Sequence, residues 1–363
     1  MRPFGHIFRR SLSGVLAGLF VLVLLSNAAL AQKITWRLTT FSPEGNQDYR
    51  EYVETFVKNV DLLTSGEIKI QAFGAGVLAP AFESPAAVQK GIADVALYFP
   101  AFMVNQDPAN AFLAGLPSGM SAEATMAWLF NGGGEKLWVD FRRETMGLHS
   151  VIAGIGPTEI FAHAHKPIRT AADLKGLKFR TAGAWAAILK DYFGASPTVL
   201  PASEIFTALE RRVIDGTEYV TPSINLAVGL PNVAKFVMLP GIHQPTYVYE
   251  VMMKKETWDA LRPDLKEKLI AAGKLTMLQA QLKLSVADMD AMAKMRAGKN
   301  EFVTLDPSLI ADIRKATRDW VSKTAAAQKE KGNPWMDRMA ESYFGFQDKW
   351  SQASDIRIID VKE

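Results

Sequence analysis

The stretch TAADLKGLKFRTAGAWAAILKDYF, residues 170–193, carries two helix patterns on either side of one strand pattern. Thr170 can cap a short helix that ends before Gly176, and the apolar alternation over 177–180 predicts a strand. Apolar residues then return at helical spacing over 185–193. A strand followed at once by a helix is the repeating unit of an α/β domain, so this stretch predicts that fold class.

The same alternation of strand and helix patterns extends in both directions from this stretch. On the N-terminal side, strands are predicted at 34–38, 67–72, 94–98, 151–155 and 160–164, and helices at 47–63 and 84–90. On the C-terminal side, strands are predicted at 198–200 and 215–220, with a helix capped by Ser203 over 203–212. Because the pattern starts again near residue 151, it predicts two α/β units, each with a mostly parallel sheet.

The last third of the chain has a different pattern. Pro263 stands at the first position of a predicted helix, and residues 265–297 continue it with Gly273 as the sole interruption. At ~1.5 Å per residue this helix would be about 50 Å long. A helix of that length is expected to brace two domains, and two shorter helices are predicted after it, around 308–331 and 335–352.

The N-terminal segment has the pattern of a secretory signal peptide. Three arginines precede the apolar stretch 12–28, and Ala-Leu-Ala at 29–31 forms a small-residue cleavage site. We therefore expect removal of the segment after Ala31 and a periplasmic location, with a retained membrane anchor as the alternative. The pair Arg9-Arg10 leaves general secretion and twin-arginine export both open.

Composition limits the partners and the chemistry. The chain has 41 Lys and Arg against 38 Asp and Glu, and without the three signal-peptide arginines it is formally neutral. A neutral surface argues against nucleic acid or an anionic membrane as the partner. The sequence has no cysteine, which excludes disulfides, thiolate catalysis and cysteine-based zinc sites. It also lacks the G-x-S-x-G, H-E-x-x-H and G-x-x-x-x-G-K-[ST] motifs, so no catalytic constellation is indicated.

Two local patterns have both a functional and a structural interpretation. Gly132-Gly133-Gly134 looks like a phosphate loop but lacks the Lys-Ser/Thr that would hold the phosphate, which favours a break between two helices. His163 and His165 share one face of a predicted strand. They form either half of a metal site or, more commonly, a solvated strand edge.

Four motifs in order carry a resemblance to a known family. DLKGLKFR at 173–180 resembles a segment of the solute-binding subunits of TRAP (tripartite ATP-independent periplasmic) transporters. The other three motifs are FGAGVL at 73–78, VQKGIADV at 88–95 and ALERRVIDGTE at 208–218, the last with Arg212 where a glycine is usual. The match spans essentially all of residues 33–300. It implies a two-lobed periplasmic-binding-protein fold of the α/β class, with a long bracing helix and C-terminal helices.

The resemblance and the patterns together predict a division of the chain. The segments are a signal peptide at 1–31, lobe I at 32–155 with return strands at about 241–255, lobe II at 156–240, a long helix spanning both lobes at 262–300, and C-terminal helices at 301–363.

Arg180 is the first candidate for ligand binding. The resemblance implies that this arginine, at the end of its strand, clamps the carboxylate of the ligand. The chemistry agrees, because the carboxyl ends of parallel strands border the ligand crevice and a guanidinium offers a planar fork of donors. The alternative is a surface arginine lying over apolar neighbours.

Two glutamates and a tyrosine are candidates for a cation site. The length and the C-terminal helices look most like the branch of the family that binds 2-oxo and 2-hydroxy acids, some members of which hold the acid through a cation. In that branch a Gln and a Glu-Trp pair contribute to the cation site. Here Glu159 stands near the Gln position, and Glu218-Tyr219 stand at the Glu-Trp position. The resemblance thus implies Ca²⁺ or Na⁺ bridging at Glu159, Glu218 and Tyr219, and no cofactor is required. A ligand hydroxyl or ammonium, or pairing of Glu218 with Arg180, are the alternatives.

Aromatic and amide side chains complete the predicted cleft. Those at strand or helix ends facing the cleft are Tyr98, Phe99, Trp185 and Tyr219, with core packing as the alternative for each. Asn225 and Gln244 follow later strands and can donate hydrogen bonds to a ligand.

The sequence therefore predicts a binding protein rather than an enzyme. We expect it to capture a small organic acid and deliver it to the membrane subunits of a TRAP transporter, as a monomer or as a homodimer through its C-terminal helices. The alternatives are an exported hydrolase or lyase using Glu159 and Glu218, a binder of an amino-bearing zwitterion, and a scaffold or sensor domain.

Overall fold

Two mixed β-sheets surrounded by helices form the framework of this computed structural model, which describes residues 33–353. The predicted signal peptide, its cleavage site and the last ten residues lie outside the described part. The architecture confirms the two-lobed α/β fold. No helix within 33–353 combines the length and the apolar character that a membrane crossing requires.

Sheet A forms lobe I and has five strands in the order β2-β1-β3-β10-β4. Their bounds are β1 Ile34–Thr40, β2 Ile68–Phe73, β3 Val95–Tyr98, β4 Leu148–Gly156 and β10 Tyr247–Lys254. Strand β1 runs parallel to β2 and β3, whereas β10 runs antiparallel to both β3 and β4.

Sheet B forms lobe II and has six strands in the order β11-β9-β5-β8-β6-β7. Their bounds are β5 Ala162–Ala164, β6 Lys178–Arg180, β7 Ser196–Thr198, β8 Gly216–Thr217, β9 Phe236–Leu239 and β11 Glu301–Thr304. Strand β5 is antiparallel to β8 and β9, while the other neighbours are parallel.

The prediction of mostly parallel sheets therefore needs a correction. Each sheet contains one strand, β10 in sheet A and β5 in sheet B, that is antiparallel to both neighbours. Strand β5 is the first strand of lobe II after the chain leaves lobe I, and β10 is the first strand of lobe I after the chain leaves lobe II. A parallel neighbour needs a crossover helix within the same sheet, and a strand arriving from the other lobe does not have one.

Helices cover both sheets. The α-helices are Thr55–Leu63, Ser84–Gln89, Ala111–Ala114, Ala122–Asn131, Gly134–Met146, Ala171–Leu174, Gly183–Phe193, Ala202–Glu210, Pro222–Ala227, Leu230–Val233, Lys255–Asp259, Pro263–Ala297, Pro307–Glu330 and Trp335–Gln352. The first is preceded by a π-helical segment, Tyr49–Glu54, and short 3₁₀ turns occupy Ala81–Glu83, Pro100–Met103 and Pro108–Asn110.

Several local predictions are confirmed and others are wrong. Thr170 does form a capping box with Asp173. The helix at Ala202 begins after Pro201 instead of being capped by Ser203, because the fixed backbone angle of proline suits a helix start. The strand predicted at 215–220 shortens to Gly216–Thr217.

The glycine and histidine patterns both turn out to be structural. Gly132 and Gly133 separate two helices, as the sequence favoured. His163 is fully buried with its Nε2 3.2 Å from the amide nitrogen of Asn225, and His165 Nε2 contacts the carbonyl of Leu209. The two histidines therefore form neither a metal site nor a solvated edge.

The long helix Pro263–Ala297 braces both lobes, as predicted. Its Leu265 and Leu269 pack in the core of lobe I, and its Ala291 and Met295 pack with Val237 of lobe II. Gly273 does not interrupt it. A Cβ at that position would lie 2.2 Å from the carbonyl oxygen of Ile152, so the glycine lets the helix approach β4 closely.

A buried ion pair fixes β10 in the middle of sheet A. Arg142 donates to both carboxylate oxygens of Glu250, with the closest contact at 2.6 Å, and both side chains are fully buried. Trp138 Nε1 and Ser150 Oγ donate to the same carboxylate at 2.9 and 2.7 Å. Asn110 accepts the remaining bond from Arg142 at 2.6 Å. Every charge in this network is compensated.

Two adjacent chain segments connect the lobes, residues 157–161 after β4 and residues 240–246 before β10. They are tied together, since Glu159 N donates to the Gln244 carbonyl at 3.2 Å and Thr246 Oγ1 donates to the Gly156 carbonyl at 2.7 Å. A Cβ on Gly241 would lie 1.8 Å from the carbonyl oxygen of Glu159, which explains the glycine. We call these two segments the interlobe crossovers.

Candidate functional site

A small cavity of about 40 Å³, partly open to solvent, lies between the lobes. Lobe I contributes mainly aromatic side chains, lobe II contributes Arg180, Glu218 and Tyr219, and the crossovers contribute Glu159 and Gln244. The cavity thus combines an apolar wall with a polar one, which is the usual composition of a small-molecule site.

Arg180 is buried at the cavity wall and held from three directions. It ends β6, which lies between β7 and β8 in sheet B. Its Nε and Nη2 donate to the carbonyl of Leu200 at 3.2 and 3.0 Å, and its Nη1 donates to the carbonyl of Glu218 at 3.2 Å. The ring of Tyr219 lies 5.7 Å from the guanidinium carbon. Arg180 is therefore no surface arginine, and its guanidinium is fixed before any ligand arrives.

Glu218 is the acidic partner of Arg180. Its Oε1 lies 3.3 Å from Nη1 of Arg180 and accepts a hydrogen bond from the backbone N–H of Ala182 at 3.2 Å. Burial raises the pKa of Glu218, while Arg180 opposes the rise. The alternative in which Glu218 pairs with Arg180 is thus realised in the geometry.

Glu159 lies beside this pair without a cationic partner of its own. Gln244 Nε2 donates to its Oε1 at 3.0 Å, and its Oε2 has no hydrogen-bond partner within the described residues. Burial and the nearby Glu218 raise the pKa of Glu159 well above its usual value. Two carboxylates this close repel each other, so Glu159 favours its protonated form until positive charge arrives.

His243 completes a three-residue cluster that the sequence did not reveal. Its Nε2 lies 3.4 Å from Oε2 of Glu159, but burial lowers the pKa of His243 to about 3, so this is not an ion pair. One donor atom each from Glu159, Glu218 and His243 lie within 4.8 Å of one another. Both ring nitrogens of His243 lack a partner in the described part of the chain. The unpartnered atoms of Glu159 and His243, with the carboxylate of Glu218 beside them, fit a metal ion.

The structure sorts the predicted aromatics into two groups. Phe99 and Tyr219 line the cavity. Tyr98 does not line the cavity, because successive side chains along a strand point to opposite faces and Tyr98 points away from the face of Phe99. It is fully buried, and its hydroxyl donates to the carbonyl of Phe82 at 2.9 Å. Trp185 is also in the core, with its ring 5.8 Å from that of Phe161. The prediction that Tyr98 and Trp185 face the cleft is corrected accordingly.

The two predicted amides also differ. Gln244 lines the cavity and binds Glu159. The side chain of Asn225 instead makes two local hydrogen bonds to the backbone of Val220. It accepts from the N–H and donates to the carbonyl, both at 3.0 Å. It is not a cavity residue.

Sequence reasoning missed Asp48 and much of the aromatic wall, which consists of Phe41, Phe82, Phe99, Phe102 and Tyr249. Asp48 stands at the start of the predicted helix 47–63, where an aspartate usually signals a helix cap. His243 follows the cis proline of the second crossover, and no periodic pattern marks it.

Known proteins resemble this chain in sequence and in fold. The profile of the family described as bacterial extracellular solute-binding protein, family 7, matches residues 40–328. A monocarboxylate 2-oxoacid-binding periplasmic protein of Nostoc sp. is 29% identical over 312 residues, covering 83% of this chain and 83% of the relative.

Two solved structures have the same fold. A TRAP transporter solute-binding protein from Bordetella bronchiseptica, with calcium and picolinate in its active site, superposes with a TM-score of 0.83 at 23% identity, covering 89% of this chain and 94% of that one. A TRAP periplasmic solute-binding protein from Pseudoalteromonas atlantica, with bound sodium and pyruvate, gives 0.83 at 24% identity, covering 91% and 100%.

Proposed function

Because the chain belongs to family 7 of the bacterial extracellular solute-binding proteins, we propose that it captures a small 2-oxo or 2-hydroxy carboxylate between its lobes. The observation that carries this proposal is the buried guanidinium of Arg180 in the wall of the interlobe cavity. The Nostoc relative, named for 2-oxoacid binding, supports the same ligand class.

In this proposal the ligand carboxylate binds Arg180, and the rest of the ligand extends toward the aromatic wall of lobe I. Arg180 already uses Leu200 and Glu218 as acceptors, which keeps its fork rigid and lowers the entropic cost of binding. Closure of the lobes about the crossovers would exclude water and strengthen the ion pair.

A cation is proposed to complete the site. Glu159 and Glu218 would hold it, together with Tyr219 as the resemblance implies or with His243 as the geometry allows. Carboxylate oxygens suit Ca²⁺ or Na⁺, and such an ion supplies positive charge where an incoming acid adds a further negative one. Its binding requires Glu159 to release its proton.

The closed site would then be recognised by the membrane subunits of a TRAP transporter. We further propose that segment 1–31 directs export and is removed after Ala31, which places the protein in the periplasm. We predict a monomer or a homodimer that forms through the C-terminal helices. Light scattering of the purified protein measures its molar mass and so tests this prediction.

Binding without turnover is the first expected result. We expect purified protein to bind pyruvate or lactate with one ligand per chain in calorimetry, with a matching rise in melting temperature. Proton NMR of the same mixture should show the acid unchanged after prolonged incubation. Appearance of product would contradict the proposal and favour a hydrolase or lyase in which Glu159 and Glu218 act as acid and base.

Metal removal is the second test. We expect a chelator in sodium-free buffer to weaken pyruvate binding several-fold and added calcium or sodium to restore it, because the paired carboxylates need positive charge once an acid is bound. If only amino-bearing ligands bind, and the chelator has no effect on them, an ammonium supplies the positive charge. Tight binding of simple acids in chelator without sodium would show that no bridging cation is required.

A further inference from the structure

Asp48 is a buried carboxylate of lobe I that the proposed site does not yet use. It is 3% exposed and lines the interlobe cavity. Its Oδ1 has no hydrogen-bond partner within residues 33–353. The residue immediately precedes the helical segment Tyr49–Glu54, but its side chain makes no capping hydrogen bond there. The usual reason for an aspartate at a helix start therefore does not apply.

The surroundings of Asp48 are aromatic. Phe41, Phe99 and Tyr249 form one continuous wall, with ring centroids 5.2 Å apart for Phe41 and Tyr249 and 5.4 Å apart for Phe99 and Tyr249. Phe82 and Phe102 extend it. Among the cavity residues that lobe I contributes, Asp48 is the one with an acidic side chain. A carboxylate in such a wall is costly unless something donates to it.

The cations near the cavity bind other groups, although Ser42 and Arg50 offset part of the rise that burial causes in the pKa of Asp48. Arg180 donates to Leu200 and Glu218 on the opposite lobe, and Arg50, two residues along the chain from Asp48, donates to the carbonyl of Gly45. Within the described chain no ion pair includes Asp48. A free carboxylate oxygen at a cavity wall, facing a lobe that holds an anion-binding arginine, is suited to the far end of a ligand.

We propose that Asp48 accepts a hydrogen bond from an O–H or N–H group on the part of the ligand that lies against lobe I. This inference rests on the proposed function, with the ligand carboxylate on Arg180. It narrows the ligand class to acids that carry a hydrogen-bond donor on an otherwise apolar side chain. Asp48 then selects against acids that lack the donor, because their binding would leave its carboxylate buried and unpaired.

Matched pairs of acids test this selection. The hydroxyl pairs are 2-oxobutanoate with 4-hydroxy-2-oxobutanoate and phenylpyruvate with 4-hydroxyphenylpyruvate; the ammonium pair is pentanoate with 5-aminopentanoate. The readout is the ratio of dissociation constants within a pair, measured by calorimetry on the mature protein. We expect the wild type to prefer the donor-bearing member of at least one pair by at least ~5-fold.

Variants assign the preference to Asp48. In Asp48→Ala the ratio is expected to fall to within about twofold of unity for the same pair, whereas Asp48→Asn, whose amide oxygen still accepts a hydrogen bond, should lose the preference only in part. Glu51→Gln is the matched control: Glu51 lies three residues along the same helical segment, is 6% exposed and pairs with Lys283 at 2.8 Å, but does not line the cavity. It should keep the wild-type ratio. The two hydroxyl pairs and the ammonium pair show which donor is selected.

The outcomes separate the two proposals. If simple acids bind in an Arg180-dependent manner but no pair shows a preference, or the full preference survives in Asp48→Ala, the role of Asp48 is wrong and the proposed function stands. The absence of any wild-type preference contradicts the role of Asp48 even if a variant fails to fold. If no acid of the panel binds, both proposals are overturned.

Discussion

Replacing Arg142 by methionine is expected to lower the free energy of unfolding by about 3–5 kcal/mol. The substitution keeps the length of the side chain but leaves Glu250 as a fully buried carboxylate in the middle of sheet A. Trp138 Nε1 and Ser150 Oγ still donate to that carboxylate, but neither carries a compensating charge. The change is read from urea unfolding and from the melting temperature.

The neighbouring arginine is the control for this prediction. Arg143 pairs with Asp259 at 2.7 Å at the surface, where the two side chains are 31% and 54% exposed. Arg143→Met should therefore cost at most about 1 kcal/mol. Equal losses from the two substitutions would show that the Arg142–Glu250 pair is not the anchor of β10 in sheet A. The double variant Arg142→Met/Glu250→Gln should regain much of the loss, since it removes the stranded charge.

Exchanging Arg180 for lysine is expected to weaken binding of a monocarboxylate at least ~10-fold, or about 1.4 kcal/mol. Lysine keeps the charge but has no planar fork, so it cannot bind Glu218 and present an N–H group to a ligand carboxylate in the arrangement that Arg180 adopts. It would also lose the double contact to the Leu200 carbonyl that holds the guanidinium in place. Calorimetry with the best ligand of the panel measures the effect.

Arg37→Lys provides the comparison, because Arg37 pairs with Asp94 at the surface of lobe I and does not line the cavity. It should leave affinity unchanged. Circular dichroism and the melting temperature show whether Arg180→Lys remains folded. Unchanged affinity in a folded Arg180→Lys protein would place the carboxylate anchor elsewhere.

The regular elements with a clear apolar period could be predicted from sequence. The long helix, the first strand and the strand ending at Arg180 all lie within two residues of their predicted positions. Strands β9 and β11 were not predicted. Each has four residues, and their pairing joins positions more than sixty residues apart, so no local pattern identifies them.

The candidate site was predictable in the parts that strand ends and family motifs identify. Arg180, Glu218 and Glu159 do lie together at the cavity. His243 was missed because it lies in a crossover without a periodic pattern, and Asp48 was missed because an aspartate at the start of a predicted helix is usually a cap. Tyr98 shows the opposite error, since a strand end alone does not tell which of two adjacent aromatics faces the cavity.

The order in which the chain visits the two sheets has a consequence for its biogenesis. Sheet A is incomplete until the ribosome has made β10, which ends at residue 254. Most strands of sheet B come before β10 in the chain, but sheet B is incomplete until β11 has been made, at residue 304. No single cut of the polypeptide separates the two sheets into fragments that each hold one complete sheet. Because contacts so distant in sequence form slowly, the nascent chain stays open until late in synthesis.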